Sequence, residues 1–397
     1  MKFEHLLADR TRKMGASAIR EILKVVSQPG MVSLAGGIPA PESFPLDIME
    51  ELVARVFRKY ASQALQYDLT EGFIPLREVL VDYLQQHKNI RASVEEIIIA
   101  SGSQGVLDAL GKVLISPGDK IAVEAPTYLG ALQAFNPYEP EYLRMDTDDD
   151  GLIPDALEEV LKTEQIHFIY LIPTFQNPSG RSIPLERRKR IAEIIQRYNA
   201  LLIEDDPYSA LRYRGDALPA IKTFAPEHTV YISTFSKILA PGLRIGFCVA
   251  PEIIKKWLVI VKQGVDLHTS TFSQALAAEY LAGGYLDQQL PKIIRIYKPK
   301  QEAMLQALQN YFPDSFTWSK PEGGMFIWAE GPQGLDMEAL YWKAIERKVA
   351  FVPGKFFFTQ KGEGNETMRL NYTMADEATL DRAVKILSEV MKQALGS

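Results

Sequence analysis

The chain has 397 residues, of which 47% are hydrophobic and 24% are charged, and its formal net charge is −6. Its length predicts two or three domains, or one large α/β unit with an attached lobe. The acidic balance and the lack of a Lys/Arg run argue against a nucleic-acid-binding protein.

Cysteine content and the N-terminus bear on the compartment. The single cysteine, Cys248, excludes an intrachain disulfide, and its apolar surroundings (RIGFCVA) favour a buried strand position over a reactive thiol. The first residues, MKFEHLLADRTRKMG, include acids and no long apolar stretch, so we expect no secretory signal. The sequence contains no run of about 18 apolar residues, so we expect no membrane span. We therefore expect a cytoplasmic globular protein.

Six short apolar runs recur in the middle of the chain. Each has the length of a strand and is continuous rather than alternating in polarity, which is typical of parallel strands covered by helices on both faces. Helical patterns lie between several of them, for example at residues 106–114 and 191–198. This alternation predicts an α/β fold with a mainly parallel sheet sandwiched by helices. The runs are EEIIIASG (95–102), KIAVEAP (120–126), HFIYLIP (167–173), ALLIEDD (200–206), TVYISTFSK (229–237) and RIGFCVA (244–250).

The pattern changes near residue 290. A long charged helix (292–312) leads into FTWSKPEGGMFIWAE, which indicates strands around a Gly-Gly turn. Further short strands and a final amphipathic helix (379–395) follow. We predict a small α+β domain at residues 290–397, a large domain at 46–289, and an N-terminal segment at 1–45 that joins the small domain.

Polar residues follow the predicted strands, where ligands bind in open α/β sheets. After the first run, Ser101-Gly102-Ser103-Gln104 opens a helix whose free N–H groups favour a phosphate, although simple helix capping by serine explains the pattern equally well. A serine-hydrolase elbow at Ser103 is disfavoured because Ser101 stands where G-x-S-x-G requires glycine, and the five histidines are scattered. Scattered histidines and one cysteine also give no metal-ligand spacing.

The end of a further strand carries two adjacent carboxylates. Asp205 and Asp206 end this run, with Tyr208 close behind. A buried carboxylate there needs a partner, whereas a lone acid would be a solvated turn residue or a helix cap.

Lys237 ends the next run. A sheltered lysine forms imines with carbonyl groups, although a lone loop lysine is usually a surface residue. The neighbouring Thr234, Ser236 and Arg244 favour a sheltered, imine-forming lysine, because together they form a second phosphate-binding set.

Two more residues complete the candidates. Asn177 lies in IPTFQNPSG, a loop rich in proline and glycine that follows a strand. Arg369 lies within the predicted strand TMRLNYT, where its apolar neighbours call for an anionic partner, either a structural carboxylate or a ligand.

Taken together, these segments resemble the fold-type I aminotransferases, which use pyridoxal 5′-phosphate. The resemblance extends from SLAGGIPAPESFP near residue 33 to TMRLNYT near residue 367. Six segments are similar to the branch with 2-aminoadipate and kynurenine aminotransferases, which includes broad-range enzymes for branched-chain and aromatic amino acids. These segments are LAGGIPAPE, LQYDLTEG, SGSQ, EAPTY, IPTFQNPSG and FSKILAPGLR. The resemblance implies that the protein transfers an amino group from an L-amino acid to a 2-oxo acid, such as 2-oxoglutarate, by a ping-pong mechanism.

The resemblance implies a role for each candidate residue. Lys237 would carry the cofactor as a Schiff base and then act as the base that moves the proton of the substrate α-carbon. Asp205 would hold the pyridine nitrogen protonated, which makes the ring an electron sink. Tyr208 and Asn177 would hydrogen-bond the phenolic oxygen, and Tyr128 would stack on the ring. The residues implied to hold the phosphate are Ser103, Gln104, Thr234, Ser236 and Arg244.

The resemblance also implies substrate contacts and a partner. Arg369 would pair bidentately with the substrate α-carboxylate, helped by Asn177, with Gly37 of LAGGIPAPE nearby. Tyr67 of LQYDLTEG would reach the phosphate of a neighbouring subunit, which implies a homodimer with shared sites. Arg20, in the N-terminal helix GASAIREILK, would read a side-chain carboxylate, or else it is a solvated arginine paired with Glu21.

Two alternatives remain open. The same scaffold hosts pyridoxal-phosphate lyases, decarboxylases and racemases, because the lysine imine and the electron sink serve all of them. A transcription regulator with an aminotransferase-like domain is disfavoured, since only about 30 residues precede SLAGG, fewer than a winged-helix module needs, and the net charge is −6.

Overall fold

The computed structural model describes residues 2–12, 14 and 29–396, and strands and helices alternate through the middle of this part. The strands are β1 (Val32–Ser33), β2 (Ile97–Ser101), β3 (Lys120–Glu124), β4 (Glu141–Met145), β5 (Thr147–Asp148), β6 (Gly151–Leu152), β7 (Phe168–Leu171), β8 (Leu202–Asp205), β9 (Thr229–Thr234), β10 (Ile245–Val249), β11 (Thr317–Trp318), β12 (Phe326–Glu330), β13 (Val349–Ala350), β14 (Val352–Pro353) and β15 (Thr367–Asn371). The helices are α1 (Leu46–Tyr60), α2 (Ile74–Lys88), α3 (Ser103–Leu114), α4 (Leu129–Phe135), α5 (Pro154–Thr163), α6 (Leu185–Arg197), α7 (Glu252–Gln263), α8 (Thr271–Ala282), α9 (Tyr285–Tyr311), α10 (Met337–Glu346) and α11 (Glu377–Leu395).

A seven-stranded sheet with the order β2-β10-β9-β8-β7-β3-β4 forms the centre of the larger part. Strand β10 is antiparallel to both of its neighbours, and the pairs from β9 to β4 are parallel. The predicted α/β fold with a mainly parallel sheet is therefore confirmed. All six apolar runs are strands of this sheet. The seventh strand, β4, was missed because all but one of its residues are exposed or partly exposed, so it has no continuous apolar run.

Both faces of the large sheet are buried, and successive residues of one strand enter different cores. In β2, Ile97 and Ile99 belong to one apolar cluster, whereas Ile98 and Ala100 belong to another. Each fully buried isoleucine stabilises the fold by roughly 1.5–3 kcal/mol relative to an exposed one. This alternation matters for the site, because neighbouring residues at a strand end point to opposite sides of the sheet.

A four-stranded antiparallel sheet of order β11-β12-β15-β14 forms the centre of the C-terminal part. Strand β15 is fully buried and holds Arg369 opposite Trp328 on one side and Val352 on the other. Strand β1 pairs with β13, so residues 32–33 lie against this C-terminal part. The domain limits at residues 45 and 289 stay a prediction, and α9 runs without a break through residue 289.

Cys248 is buried in β10, as its apolar run predicted. Across the described ranges, no helix combines the length and the apolar character needed to cross a bilayer.

Candidate active site

The carboxyl ends of the parallel strands bring most of the predicted site residues to one cavity of about 280 Å³. Tyr67 lies outside this cavity, and Arg20 lies outside the described residues. None of the described residues that line the cavity is a histidine, so Ser103 has no histidine base there. The predicted residues that line it are Gly37, Ser103, Gln104, Tyr128, Asn177, Asp205, Tyr208, Thr234, Ser236, Lys237, Arg244 and Arg369. Four apolar residues that sequence analysis did not single out also line it, namely Ile38, Ile172, Pro207 and Pro241.

Lys237 is held at the end of β9 by a single helical turn. The Thr234 side chain caps this turn and accepts a hydrogen bond from the Ser236 N–H at 3.2 Å. The Lys237 Nζ donates to the Gly37 carbonyl oxygen at 2.8 Å. Burial, with the positive charges of Arg369 and Arg244, lowers the pKa of Lys237 to about 8. The neutral amine, the only form that attacks a carbonyl carbon, is therefore far more abundant near neutral pH than in an ordinary lysine.

Asp205, the last residue of β8, has one satisfied and one free oxygen. Its Oδ2 accepts a hydrogen bond from the Tyr170 hydroxyl at 2.8 Å, whereas its Oδ1 is buried without a partner. Burial raises the pKa of Asp205 to about 7; the Tyr170 bond opposes this shift and the Asp206 charge adds to it. A cationic N–H donor at Oδ1 would satisfy the free oxygen and favour the carboxylate.

Sequence analysis missed Tyr170. It is fully buried in β7, the strand next to β8, and its hydroxyl lies in an otherwise apolar run. The only signal was that a buried tyrosine hydroxyl requires a polar partner, and nothing in the run identifies Asp205 as that partner.

Arg369 is fixed on several sides. Its guanidinium lies over the Phe326 and Phe357 rings, at 4.3 and 5.0 Å from their centroids. Its Nη2 donates to the Ala35 carbonyl oxygen at 2.7 Å, while its Nε is buried without a partner. Burial lowers its pKa to about 10, so it stays cationic at neutral pH. No described carboxylate pairs with it, which favours the ligand alternative over the structural one.

Asn177 links Arg369 to Tyr208. Its Oδ1 accepts from Arg369 Nη1 at 2.8 Å, and its Nδ2 donates to the Tyr208 hydroxyl at 3.3 Å. Burial raises the pKa of Tyr208, so its hydroxyl keeps its proton and can donate a hydrogen bond to an anionic oxygen.

The N-terminus of α3 also lines the cavity, through Ser103 and Gln104. The cap of this helix is Gly102 and not Ser103, so the capping explanation for Ser103 does not hold. Gly102 has φ +77°, and a Cβ there would lie 2.4 Å from the Arg244 Nη2 atom. Glycine is thus required for Arg244 to approach the helix N-terminus. Free N–H groups, serine and threonine hydroxyls and a guanidinium together suit a phosphate.

Two aromatic residues occupy different positions. Tyr128 lies at the start of α4, where a Cβ on Gly130 would lie 2.4 Å from its ring, and Gln104 donates to the Gly130 carbonyl oxygen at 2.7 Å. Tyr67 is 77% exposed and contacts the His268 ring edge to face, with centroids 5.6 Å apart.

The family model for aminotransferase class I and II matches residues 42–387. The chain belongs to this family. It is 47% identical over 402 residues to the aromatic-amino-acid aminotransferase 1 of Thermococcus litoralis, covering 100% of this chain and 96% of the relative. It is 42% identical over 388 residues to the 2-aminoadipate transaminase of Thermus thermophilus, covering 96% of each. A Pyrococcus horikoshii kynurenine aminotransferase, solved with PMP, KYN and KYA, superposes with a TM-score of 0.95 at 44% identity and covers 99% and 98% of the two chains.

The aminotransferase depends on pyridoxal phosphate and moves amino groups between amino acids and 2-oxo acids. The residues present fit this cofactor. The Lys237 amine suits its aldehyde, and the unpartnered Asp205 Oδ1 suits a protonated ring nitrogen. The α3 N-terminus with Arg244 suits its phosphate. Among the described residues there is no group of three or more His, Cys, Asp or Glu that could hold a metal ion.

The lowered pKa of Lys237 predicts how apoenzyme captures the cofactor. We expect the rate of covalent attachment to rise about tenfold per pH unit up to about pH 8 and then level off, because the neutral amine is the nucleophile. With an ordinary lysine, the rate of attachment would continue to rise up to about pH 10.4. Stopped-flow absorbance after mixing apoenzyme with pyridoxal phosphate measures this rate, and butylamine titrated in the same buffers corrects for the cofactor's own ionisations. A profile that still rises steeply above pH 9 would contradict the lowered pKa.

Proposed function

We propose that this aminotransferase accepts a broad range of L-amino acids, including aromatic and branched-chain amino acids, 2-aminoadipate and kynurenine. The 2-oxoglutarate/glutamate couple would be its common partner. The main support is the buried Arg369, whose guanidinium faces the same cavity as Lys237 and Asp205. Arg369 would bind the α-carboxylate and Lys237 would act at the α-carbon, which all amino acids share, while Asp205 would contact only the cofactor, so none of the three selects a side chain.

The other charges of the cavity support this breadth. The charged residues among the described lining are Lys237, Asp205, Arg244 and Arg369, and each already has a role toward the cofactor or the α-carboxylate. None of them remains to read a second carboxylate. Such a contact would fall to Arg20, outside the described residues, and the apolar Ile38 and Ile172 suit uncharged side chains.

The bound cofactor supplies an electron sink that makes the α-proton of the substrate acidic. Arg369 would orient the substrate by its carboxylate, and Lys237 would move the proton between the substrate α-carbon and the C4′ carbon of the cofactor. Asp205 would keep a proton on the ring nitrogen. Tyr208 and Asn177 would donate hydrogen bonds to the phenolic oxygen, and Tyr128 would pack against the ring.

A second copy of the chain would complete the site. Tyr67 contacts His268, and the exposed apolar residues close to these two in the sequence offer a surface suited to association. In a homodimer, Tyr67 would donate its hydroxyl to the phosphate in the partner's cavity. The exposed residues of this surface are Leu65, Tyr67, Leu69, Val265 and Leu267. A cytoplasmic location stays a prediction from the sequence.

The visible absorption spectrum tests the proposed reaction. Purified protein is expected to show the yellow band of lysine-bound cofactor, to lose it when glutamate is added without an acceptor, and to regain it with 2-oxoglutarate. The same cycle is then run with phenylalanine, leucine, kynurenine and 2-aminoadipate. Release of ammonia without conversion of the cofactor would instead indicate a lyase. If glutamate were the only one of these donors to convert the band, the proposed breadth would be wrong.

A further inference from the structure

Asp205 ends β8 and Asp206 follows it, and the two carboxylates face opposite sides of the sheet. Asp205 contacts Tyr170 of β7 on the cavity side. Asp206 instead accepts from the Tyr231 hydroxyl at 2.7 Å, and from the Ser209 N–H and hydroxyl at 3.0 and 2.6 Å. The proposed catalytic roles use Asp205 and leave Asp206 unexplained.

The counter-ion of Asp206 is Lys88, the last residue of α2. The Lys88 Nζ lies 3.2 Å from the Asp206 Oδ2, and the two side chains are 8% and 7% exposed. The ammonium also contacts the Ser209 hydroxyl and lies 6.0 Å from the centroid of the Tyr83 ring. Water has little access to this pair, so its charges act on each other and on their surroundings with little screening.

The charge of Asp206 is coupled to that of Asp205. Burial alone would raise the pKa of Asp206, but Lys88 and the hydroxyl donors hold it below its ordinary value, so Asp206 is ionised. Its negative charge is one of the causes that raise the pKa of Asp205. Lys88 is the cation that offsets this charge at contact distance. The titratable groups that face Asp206 are Lys88 and Tyr83 of α2, Tyr231 of β9, Arg188 of α6, and the neighbours Glu204 and Asp205.

We propose that Lys88 is a positioning residue for the aminotransferase reaction, which neutralises Asp206 behind the sheet and so keeps the shared proton on the cofactor's ring nitrogen rather than on Asp205. This inference rests on the proposed contact between Asp205 and that nitrogen. Asp206 is the chain neighbour of Asp205, so an uncompensated negative charge at Asp206 would raise the proton affinity of the Asp205 carboxylate. It would therefore draw the proton from the nitrogen toward the Asp205 carboxylate and weaken the electron sink.

The test compares Lys88→Met with the double variant Lys88→Met/Asp206→Asn. Each holoenzyme is reconstituted with pyridoxal phosphate labelled with ¹⁵N in its ring, and the ¹⁵N chemical shift is followed from pH 6 to 9. The dissociation constant of the cofactor is measured by fluorescence. Lys300→Met is the matched control, because Lys300 is also 8% exposed and also pairs with a carboxylate, Glu42, at 2.8 Å.

Lys88→Met is expected to move the ¹⁵N shift toward that of neutral pyridine, increasingly so as pH rises and Asp206 ionises. Its cofactor dissociation constant should rise about tenfold, as for one unit of pKa. The double variant should regain the wild-type shift, because both charges are then absent, and Lys300→Met should keep it throughout. A purely structural role for Lys88 would leave the shift unchanged, or would give the same change in the single and double variants, and either result overturns the proposal.

Asp205→Asn separates this inference from the proposed site. If Asp205 contacts the ring nitrogen, this variant gives the shift of neutral pyridine. A wild-type shift in Asp205→Asn would refute the Asp205 role itself. A changed shift in Asp205→Asn together with a normal one in Lys88→Met would refute only the role of Lys88.

Discussion

Lys237→Ala is expected to lower the rate of the half-reaction with glutamate by about 10⁴-fold, the upper range for loss of a positioned general base. Lys237 is the only lysine among the described residues that line the cavity, so no other amine there can take its place. The variant also loses covalent attachment of the cofactor. Single-turnover absorbance measures the rate, and peptide mapping after borohydride reduction locates the attached cofactor.

A second buried lysine provides the control for this variant. Lys222 is 2% exposed, and burial lowers its pKa as it does for Lys237, but its Nζ donates to the carbonyl oxygens of Pro226 and Thr229, and it does not line the cavity. Lys222→Ala should lose thermal stability and still attach the cofactor at the wild-type rate. If Lys237→Ala retained more than about 1% of the wild-type rate, another group would have to be the base.

The large sheet could be predicted from the sequence because its central strands are buried on both faces. Burial on both sides selects continuous apolar runs, and each run that was identified forms a strand. Strand β4 carries one buried residue, Met145, and four that are exposed or partly exposed, so no such selection marks it. The pattern therefore reveals every buried strand of this sheet, including the edge strand β2, and misses β4, the edge strand that is largely exposed.

The candidate site could likewise be predicted from the sequence only in part. Its principal residues follow strand ends in the sequence, so position along the chain predicted that Lys237 and Asp205 would meet. Tyr170 and Lys88 contact these strand ends from other elements, and only the three-dimensional packing pairs them with Asp205 and Asp206. Residues that support a site from behind need contacts across the sheet, and a single sequence does not encode these locally.

Arg369→Met is expected to lower kcat/KM for glutamate by about 10² to 10³-fold, which corresponds to roughly 3–4 kcal/mol, because a desolvated, charge-assisted contact to the substrate carboxylate is lost. Arg369→Lys should retain the charge but lose the planar guanidinium, so its kcat/KM should lie between those of the wild type and Arg369→Met. Covalent cofactor attachment should persist in both variants, because Lys237 is intact. Steady-state kinetics with glutamate and with phenylalanine should show the same loss, since both share the α-carboxylate.

Arg212→Met is the matched control, because Arg212 also lies over a phenylalanine, 4.8 Å from the Phe175 centroid, and its side chain is 9% exposed. It pairs with Glu322 and does not line the cavity, so its loss should affect stability and spare kcat/KM. A loss in Arg369→Met confined to glutamate would mean that Arg369 reads the side-chain carboxylate instead. The α-carboxylate would then need another partner, and the proposed breadth of substrates would lose its main support, since that breadth depends on a cation that contacts only the part common to all amino acids.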